Sequence, residues 1–188
     1  RVTITVQKDE NLPEMQGPAE EEILQAVLTE EELQRVAGGE DGTILIKLTA
    51  TEQAQDLKTL DRLLAQEETL AAAWRMEVQT TIGGQSRTAD AFRQPLKVTI
   101  VLPQDWQGYA QYAVVSAGQG KTSRTDSEAA DAVSFEAQYS GLYALAYAQT
   151  DTLAQAPQTM DNSRPVFFCL LLAISGLGLA VCQKRKRA

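Results

Sequence analysis

Residues 95–103 read PLKVTIVLP and carry the plainest β-strand signal in the chain. Leu96, Val98, Ile100 and Leu102 occupy every second position, so an extended backbone places all four on one face. A proline bounds the run at each end, which is where a strand tolerates proline best. The pattern predicts a strand with one face buried in a core and the other face exposed.

Similar runs on both sides of this strand predict a sheet-rich domain. Residues 42–50 (GTILIKLTA) are rich in β-branched and aliphatic side chains, and residues 1–7 alternate apolar with polar ones. Glycines separate the strands, because Gly83-Gly84 and the GQG sequence at 118–120 each predict a hairpin turn. The remaining predicted strands are 71–82, 109–116, 121–124, 132–137 and 141–148.

Two helical segments interrupt these strands. Residues 20–28 carry apolar side chains at helical spacing, and Thr29 with Glu32 predicts a capping box whose helix stops at the Gly-Gly pair 38–39. The second segment, residues 56–66, has leucines on one face. We therefore predict a mainly β (α+β) fold. It is an antiparallel β-sandwich-like domain with two short helical insertions, followed by one C-terminal transmembrane helix.

Residues 165–182 (PVFFCLLLAISGLGLAVC) contain no charged side chain. A helix of this length spans about 27 Å, close to the ~30 Å hydrocarbon thickness of a bilayer. Positive residues stay on the cytoplasmic side, so the basic run that follows predicts a cytoplasmic C-terminus and places residues 1–160 outside the cell. The alternative, a buried helix of a soluble core, would ordinarily keep a polar face. The predicted stop-transfer residues are Lys184, Arg185, Lys186 and Arg187.

The pentapeptide Ala156-Pro157-Gln158-Thr159-Met160 precedes the predicted span. A Pro-x-Thr motif, a short polar spacer, an apolar span and a terminal basic cluster together resemble the sorting signal of Gram-positive cell-wall proteins. In that family a sortase reads Leu-Pro-x-Thr-Gly, cuts after Thr and joins the Thr carbonyl to the cell wall. Pro157, Gln158 and Thr159 match, whereas Ala156 stands in place of Leu and Met160 in place of Gly. Besides the lipid bilayer, the resemblance implies a sortase and peptidoglycan as partners.

The chain divides into five predicted parts. Residues 1–19 are expected to be the end of an upstream domain or a linker strand, because prolines, a glycine and charges follow the first strand. Neither an initiator Met nor a signal peptide is present, so we expect the C-terminal piece of a longer polypeptide. The other parts are an extracellular β-rich domain at 20–149, a flexible linker with the sorting-like motif at 150–164, the transmembrane helix at 165–182 and a cytoplasmic basic tail at 183–188.

Six motifs follow one another along residues 20–149. They are the segment 26–33, an Asp56-x-x-x-Leu60 helix, the segments 81–84 and 98–103, Phe135-Glu136 and the segment 143–147. This order resembles a stalk-type module found near the C-terminus of surface proteins of gut-dwelling Gram-positive bacteria. The resemblance implies a structural or spacer role, with no established catalytic centre.

The composition excludes several classes of catalytic site and of binding partner. The chain has no His, which excludes Ser-His-Asp and Cys-His catalysis, and both cysteines, Cys169 and Cys182, lie in the predicted span. The chain has 17 basic and 25 acidic residues. Residues 1–160 contain 12 of the basic and 24 of the acidic ones, so that region carries a net charge of −12. Such an acidic surface argues against a nucleic-acid partner.

The acidic run 126–131 offers oxygen ligands for Ca²⁺ but lacks EF-hand spacing, and a solvated loop is preferred. We assign no catalytic, cofactor-binding or metal-binding residue and expect no enzyme activity.

Two sets of residues in the exposed region have alternative interpretations. Trp106, Tyr109 and Tyr112, here called the aromatic trio, form either a sugar-stacking platform or a plug at the end of a sheet. Gram-positive pilin modules often carry a Lys–Asn isopeptide cross-link, but residues 20–149 contain no Asn. A resemblance to those modules would therefore imply a Lys–Asp version through Lys47 or Lys97.

Together these patterns predict a non-catalytic, membrane-proximal spacer or display module of a bacterial cell-surface protein, anchored by its C-terminus in membrane or cell wall. The alternative is an extracellular, adhesin-like module that binds a glycan or a host protein. The aromatic trio separates the two predictions, because exposure on one face favours binding and burial favours a spacer.

Overall fold

Ten β-strands and three short α-helices account for most of residues 1–128 and 131–148, the parts of the chain that the structure, a computed structural model, describes. Strand makes up about 55% of them, so the prediction of a mainly β fold is confirmed. The strands are β1 (Val2–Lys8), β2 (Met15–Gln16), β3 (Gly42–Ala50), β4 (Glu68–Ile82), β5 (Gln85–Thr88), β6 (Ala91–Val101), β7 (Gln111–Gly118), β8 (Lys121–Glu128), β9 (Ala132–Tyr139) and β10 (Gly141–Ala148). The helices are α1 (Glu20–Val27), α2 (Glu30–Ala37) and α3 (Ala54–Asp61), and a 3₁₀ turn spans Gln104–Trp106.

The strands form two sheets in a sandwich-like arrangement. The larger sheet has the order β1-β3-β4-β10-β7-β8, with β5 paired to β4, and the smaller has the order β2-β6-β9. Every neighbouring pair is antiparallel except β1 and β3, which run parallel from Val2 opposite Gly42 to Lys8 opposite Leu48. All strand pairs within the predicted domain, residues 20–149, are antiparallel as predicted, and the parallel pair arises because β1, which was predicted to lie outside that domain, joins the larger sheet. Parallel neighbours need a long crossover, and the segment holding β2, α1 and α2 supplies it.

The main core lies around three aromatic rings. Trp74 is 1% exposed; it meets Phe135 edge-on at 6.1 Å and stacks on Tyr143 at 6.0 Å between ring centroids. Strand β6, which contains most of the PLKVTIVLP stretch, adds the buried Leu96 and Ile100 to the same core. The alternation seen in the sequence therefore marks the buried face of the smaller sheet.

A second, smaller core lies beneath α3, whose Leu60 is fully buried. Its other buried members are Ala73, Val115, Leu142 and Ala144. The predicted helix 56–66 was too long at its C-terminal end, since α3 ends at Asp61. In the turn that follows the helix, the Ala65 N–H donates to the Glu68 carboxylate at the start of β4, at 2.7 Å.

Residues 1–19 differ from the predicted end of an upstream domain or linker, because they belong to the same fold as the rest. Strand β1 pairs along its whole length with β3, and β2 pairs with β6 through Met15 opposite Ile100. Leu12, between these strands, is 5% exposed and lies in the main core. The charges and prolines of this segment mark a tight connection within the domain rather than a boundary.

Three helices replace the two predicted helical segments. Leu28 and Thr29 are both extended, which ends α1 and starts α2 as a separate helix. The predicted capping box is confirmed: the Glu32 N–H donates to Thr29 Oγ1 at 3.2 Å, and the Thr29 N–H donates to Glu32 Oε2 at 2.8 Å.

Within the described part of the chain, no helix is both long and apolar enough to cross a membrane. The predicted linker at 150–164, the predicted span at 165–182 and the basic tail at 183–188 lie outside the described residues.

Candidate functional site

The residues predicted to anchor the protein lie outside the described ranges and stay predictions. They are the sorting-like motif Ala156, Pro157, Gln158, Thr159 and Met160 and the stop-transfer residues Lys184, Arg185, Lys186 and Arg187. The residues predicted to bind a ligand, by contrast, lie within the described fold.

The aromatic trio lies where the chain leaves the smaller sheet and enters β7. Tyr112 is 1% exposed, and its hydroxyl donates to the Trp106 carbonyl at 2.7 Å and accepts the Tyr109 N–H at 3.3 Å. These bonds fix the 3₁₀ turn, which contains Trp106, against the first residues of the strand. The hydroxyl is thus occupied by backbone groups of its own loop.

The other two members of the trio pack on the fold instead of forming one open face. Tyr109 stacks on Tyr147 of β10 with 3.8 Å between ring centroids and meets the edge of Tyr112 at 6.3 Å. Trp106 and Tyr109 are half-buried against the main core. The plug interpretation of the trio is the one that these contacts favour, since a sugar platform needs a ring face open to solvent.

A carboxylate cluster that the sequence did not reveal joins α2 to the β4–β5 hairpin. Glu32, 9% exposed, accepts hydrogen bonds from Arg87 Nε at 2.8 Å, from Arg87 Nη2 at 2.6 Å and from Thr80 Oγ1 at 3.2 Å. Arg87 Nη2 also donates to the Val27 carbonyl at the end of α1, at 2.9 Å. One guanidinium therefore holds both helices of the crossover on the sheet.

The Glu32 carboxylate is held in its ionised form. Burial by itself would raise its pKa, but the hydrogen bonds from Arg87 and the Thr29 N–H outweigh burial and lower the pKa to about 2. A catalytic acid needs the opposite shift, toward neutral pH. The geometry thus makes Glu32 a structural anion.

Glu68 and Arg124 form a second such cluster, between β4 and β8. Arg124 donates to Glu68 Oε1 at 2.6 Å and to Asp126 Oδ1 at 2.8 Å. The hydrogen bond from Arg124 lowers the pKa of Glu68, whose side chain is 3% exposed. A third pair joins Arg75 to Asp56 at 3.0 Å, and Thr51 Oγ1 donates to the same carboxylate at 2.9 Å.

In these clusters the acidic side chains stabilise the fold. Glu32, Glu68 and Asp56 each face an arginine, which stabilises the carboxylate charge. In the described residues, no group of three or more His, Cys, Asp or Glu side chains is placed to hold a metal ion. Asp126, the first acidic residue of the segment 126–131 that was considered for Ca²⁺ and interpreted as a solvated loop, is paired with Arg124.

The remaining motifs that lie among the described residues have clear positions. The predicted turn at 118–120 is confirmed as the β7–β8 hairpin, where Gln119 and Gly120 adopt φ values of 51° and 69°. Lys47 and Lys97 are exposed on β3 and β6, and among the described residues no ion pair within 4.0 Å includes either one. Neither lysine is therefore placed for a cross-link to an aspartate of the described ranges.

Comparisons of the chain with protein-family models, with curated proteins and with solved structures return no match. The resemblances to the cell-wall sorting signal and to the stalk-type module remain predictions based on the residues that carry them.

Proposed function

We propose that this chain is a non-catalytic, membrane-proximal spacer and display module of a bacterial cell-surface protein. The observation that carries the proposal is the uncharged run at 165–182 followed, after Gln183, by four basic residues, Lys184 to Arg187. A helix of that length matches a bilayer, and the basic cluster orients it with the C-terminus in the cytoplasm. Residues 1–160 then stand outside the cell, with the lipid bilayer as the first partner.

The sorting-like motif extends the proposal to the cell wall. Cleavage after Thr159 by a sortase would release Met160 onward and join the Thr159 carbonyl carbon to an amine of peptidoglycan, with the Thr159–Met160 amide bond broken in exchange. Met160 stands where the usual motif has Gly, so the proposal includes the membrane-anchored form as well as the wall-linked form.

The described fold supports a spacer role in two ways. Residues 1–160 carry a net charge of −12, which keeps such a module soluble and repels it from an anionic envelope. The aromatic trio packs on the fold, and the three carboxylates of the clusters face arginines. Side chains that would otherwise be candidates for ligand binding are thus engaged in holding the domain together.

We expect the full chain, in a mild detergent, to bind no immobilised glycan with micromolar affinity on an array. A sugar would need an open aromatic face, and the trio offers half-buried rings in contact with the core. The matched control is Trp106→Ala, which removes the largest ring of the trio and should leave the array signal at the same background. Micromolar binding that is lost on Trp106→Ala would establish the adhesin-like alternative and refute the spacer role.

A further inference from the structure

Strand β1 is an edge strand of the larger sheet. In the described residues it pairs with β3 alone, over seven consecutive positions without a bulge. Its sequence, VTITVQK, is rich in β-branched residues and contains no acid and no proline. Natural edge strands usually carry such features as bulges, prolines or inward-pointing charges that block further pairing, and β1 has only a terminal lysine.

The hydrogen bonds at the two ends of β1 show which backbone groups face the free edge. Gly42 donates its N–H to the Arg1 carbonyl at 3.0 Å, and Asp9 donates its N–H to the Leu48 carbonyl at 2.9 Å. Both bonds to β3 use odd-numbered residues, and the register between them is unbroken. Alternate residues of a parallel strand bond to the neighbour while those between point away. The free edge is therefore formed by the even-numbered residues from Val2 to Lys8.

One apolar side chain on β1 is left uncovered. Val6 is 56% exposed and is the large apolar residue that the described fold leaves open to solvent. It lines an apolar cavity of about 170 Å³ together with Ile46, Leu48 and Met15, so it lies on the core side of the sheet. Ile4 lies on the same side and is half-buried against the main core.

We propose that this edge pairs with β1 of a second copy of the chain, antiparallel and centred on Thr5. Antiparallel pairing through the even-numbered residues must match even with even positions, because these carry the free N–H and C=O groups. Centring the two-fold axis on Thr5 pairs Val2 with Lys8, and Ile4 with Val6, of the other copy. Of the possible centres, this one uses all four free-edge residues.

The side chains are self-complementary in that register. Ile4 of one copy covers the exposed Val6 of the other, while the polar Thr3 and Gln7 meet on the opposite face. The acid that follows the strand, Asp9, comes opposite Arg1 of the other copy, and Lys8 comes opposite an uncharged Val2. Opposite charges thus meet at both ends and like charges do not, which favours a second copy over an unrelated strand.

A cysteine at the centre of the pairing tests this arrangement. Thr5 faces Thr5 as a non-hydrogen-bonded pair, whose Cα atoms lie about 4.5 Å apart in antiparallel sheets, and a disulfide needs about 4.4–6.8 Å. The full chain in mild detergent, with Cys169→Ser and Cys182→Ser as background, should form a disulfide dimer on mild oxidation when it carries Thr5→Cys. Thr3→Cys is the matched control on the same strand and face, and it should stay monomeric because it meets Gln7. Absence of the Thr5→Cys dimer, or an equal yield from Thr3→Cys, overturns the proposal.

Two further variants connect the dimer to the backbone edge. Val6→Pro removes a free-edge N–H without removing a bond to β3, and it should lower the yield of the Thr5→Cys dimer by about tenfold or more. Val6→Thr, which keeps the N–H, should retain the dimer.

Asp9→Lys should weaken cross-linking and Asp9→Lys with Arg1→Glu should restore it, and this pair gives an answer even if Val6→Pro fails to fold. Failure of the charge-swap rescue, or equal yields from Val6→Pro and Val6→Thr in folded protein, contradicts the pairing. These outcomes do not depend on the anchor or on the spacer role.

Discussion

Trp74→Ala should lower the free energy of unfolding by about 4 kcal/mol, which is within the range for emptying a core site of a large aromatic side chain. Trp74 is 1% exposed, stacks on Tyr143 and meets Phe135 edge-on, so its removal leaves a cavity bounded by β4, β9 and β10. Urea unfolding of the full chain in non-ionic detergent, followed by far-UV circular dichroism, measures the loss.

The matched control for Trp74 is the other tryptophan of the chain. Trp106 is half-buried at the end of the sandwich, and Trp106→Ala should cost only about 1–2 kcal/mol, because less apolar area returns to water. Equal losses for the two variants would contradict the assignment of Trp74 to the centre of the core.

Arg87→Met should lower the free energy of unfolding at pH 7 by about 2–4 kcal/mol, because it leaves the Glu32 carboxylate buried without its cation. The same guanidinium also bonds the Val27 carbonyl, so both crossover helices lose a contact with the β4–β5 hairpin. Arg93→Met is the control: Arg93 is exposed, and its one side-chain hydrogen bond to the described residues is a long one, 3.4 Å, to the Leu28 carbonyl. It should change stability by less than about 0.5 kcal/mol.

The contribution of Glu32 to the free energy of unfolding depends on pH with a definite sign. The pKa of Glu32 falls from an ordinary value of 4.5 to about 2 in the fold, so its contribution is present above pH 4.5 and is lost as pH falls through about 2. In Arg87→Met this contribution is largely absent, and unfolding free energies measured between pH 5 and pH 2 should decline less steeply than in the parent chain. Parallel pH profiles for the parent and Arg87→Met would show that the pair does not hold Glu32 ionised.

Local signals in the sequence predicted local structure well. Alternation in PLKVTIVLP identified the buried face of β6, and Thr29 with Glu32 identified the start of α2, because each pattern depends on residues a few positions apart. The start of β6 was missed, since the strand begins at Ala91. Its register against β9 shifts between Ala91 and Leu96, so Pro95 lies within an irregular stretch of β6 and not at the boundary of the strand.

Features that depend on residues far apart in the sequence could not be predicted from these local patterns. Arg87 lies 55 positions after Glu32, and no periodicity connects them. The parallel pairing of β1 with β3 was hidden for the same reason, since Val2 and Gly42 meet only after the crossover has folded. The prolines and charges between them suggested a domain boundary, because a tight connection and a linker have similar composition.

Fractionation of cells tests the proposed anchored display most directly. The full chain, fused to a secretion leader in a Gram-positive host, is compared with a variant that ends at Arg164. We predict that the full chain stays with the envelope until detergent or a wall-degrading enzyme releases it, and that the truncated chain appears in the medium. Mass spectrometry of the envelope fraction distinguishes a terminus at Thr159 from a chain that continues through Lys184. A full chain that is soluble after lysis without detergent or wall-degrading enzyme would contradict the account.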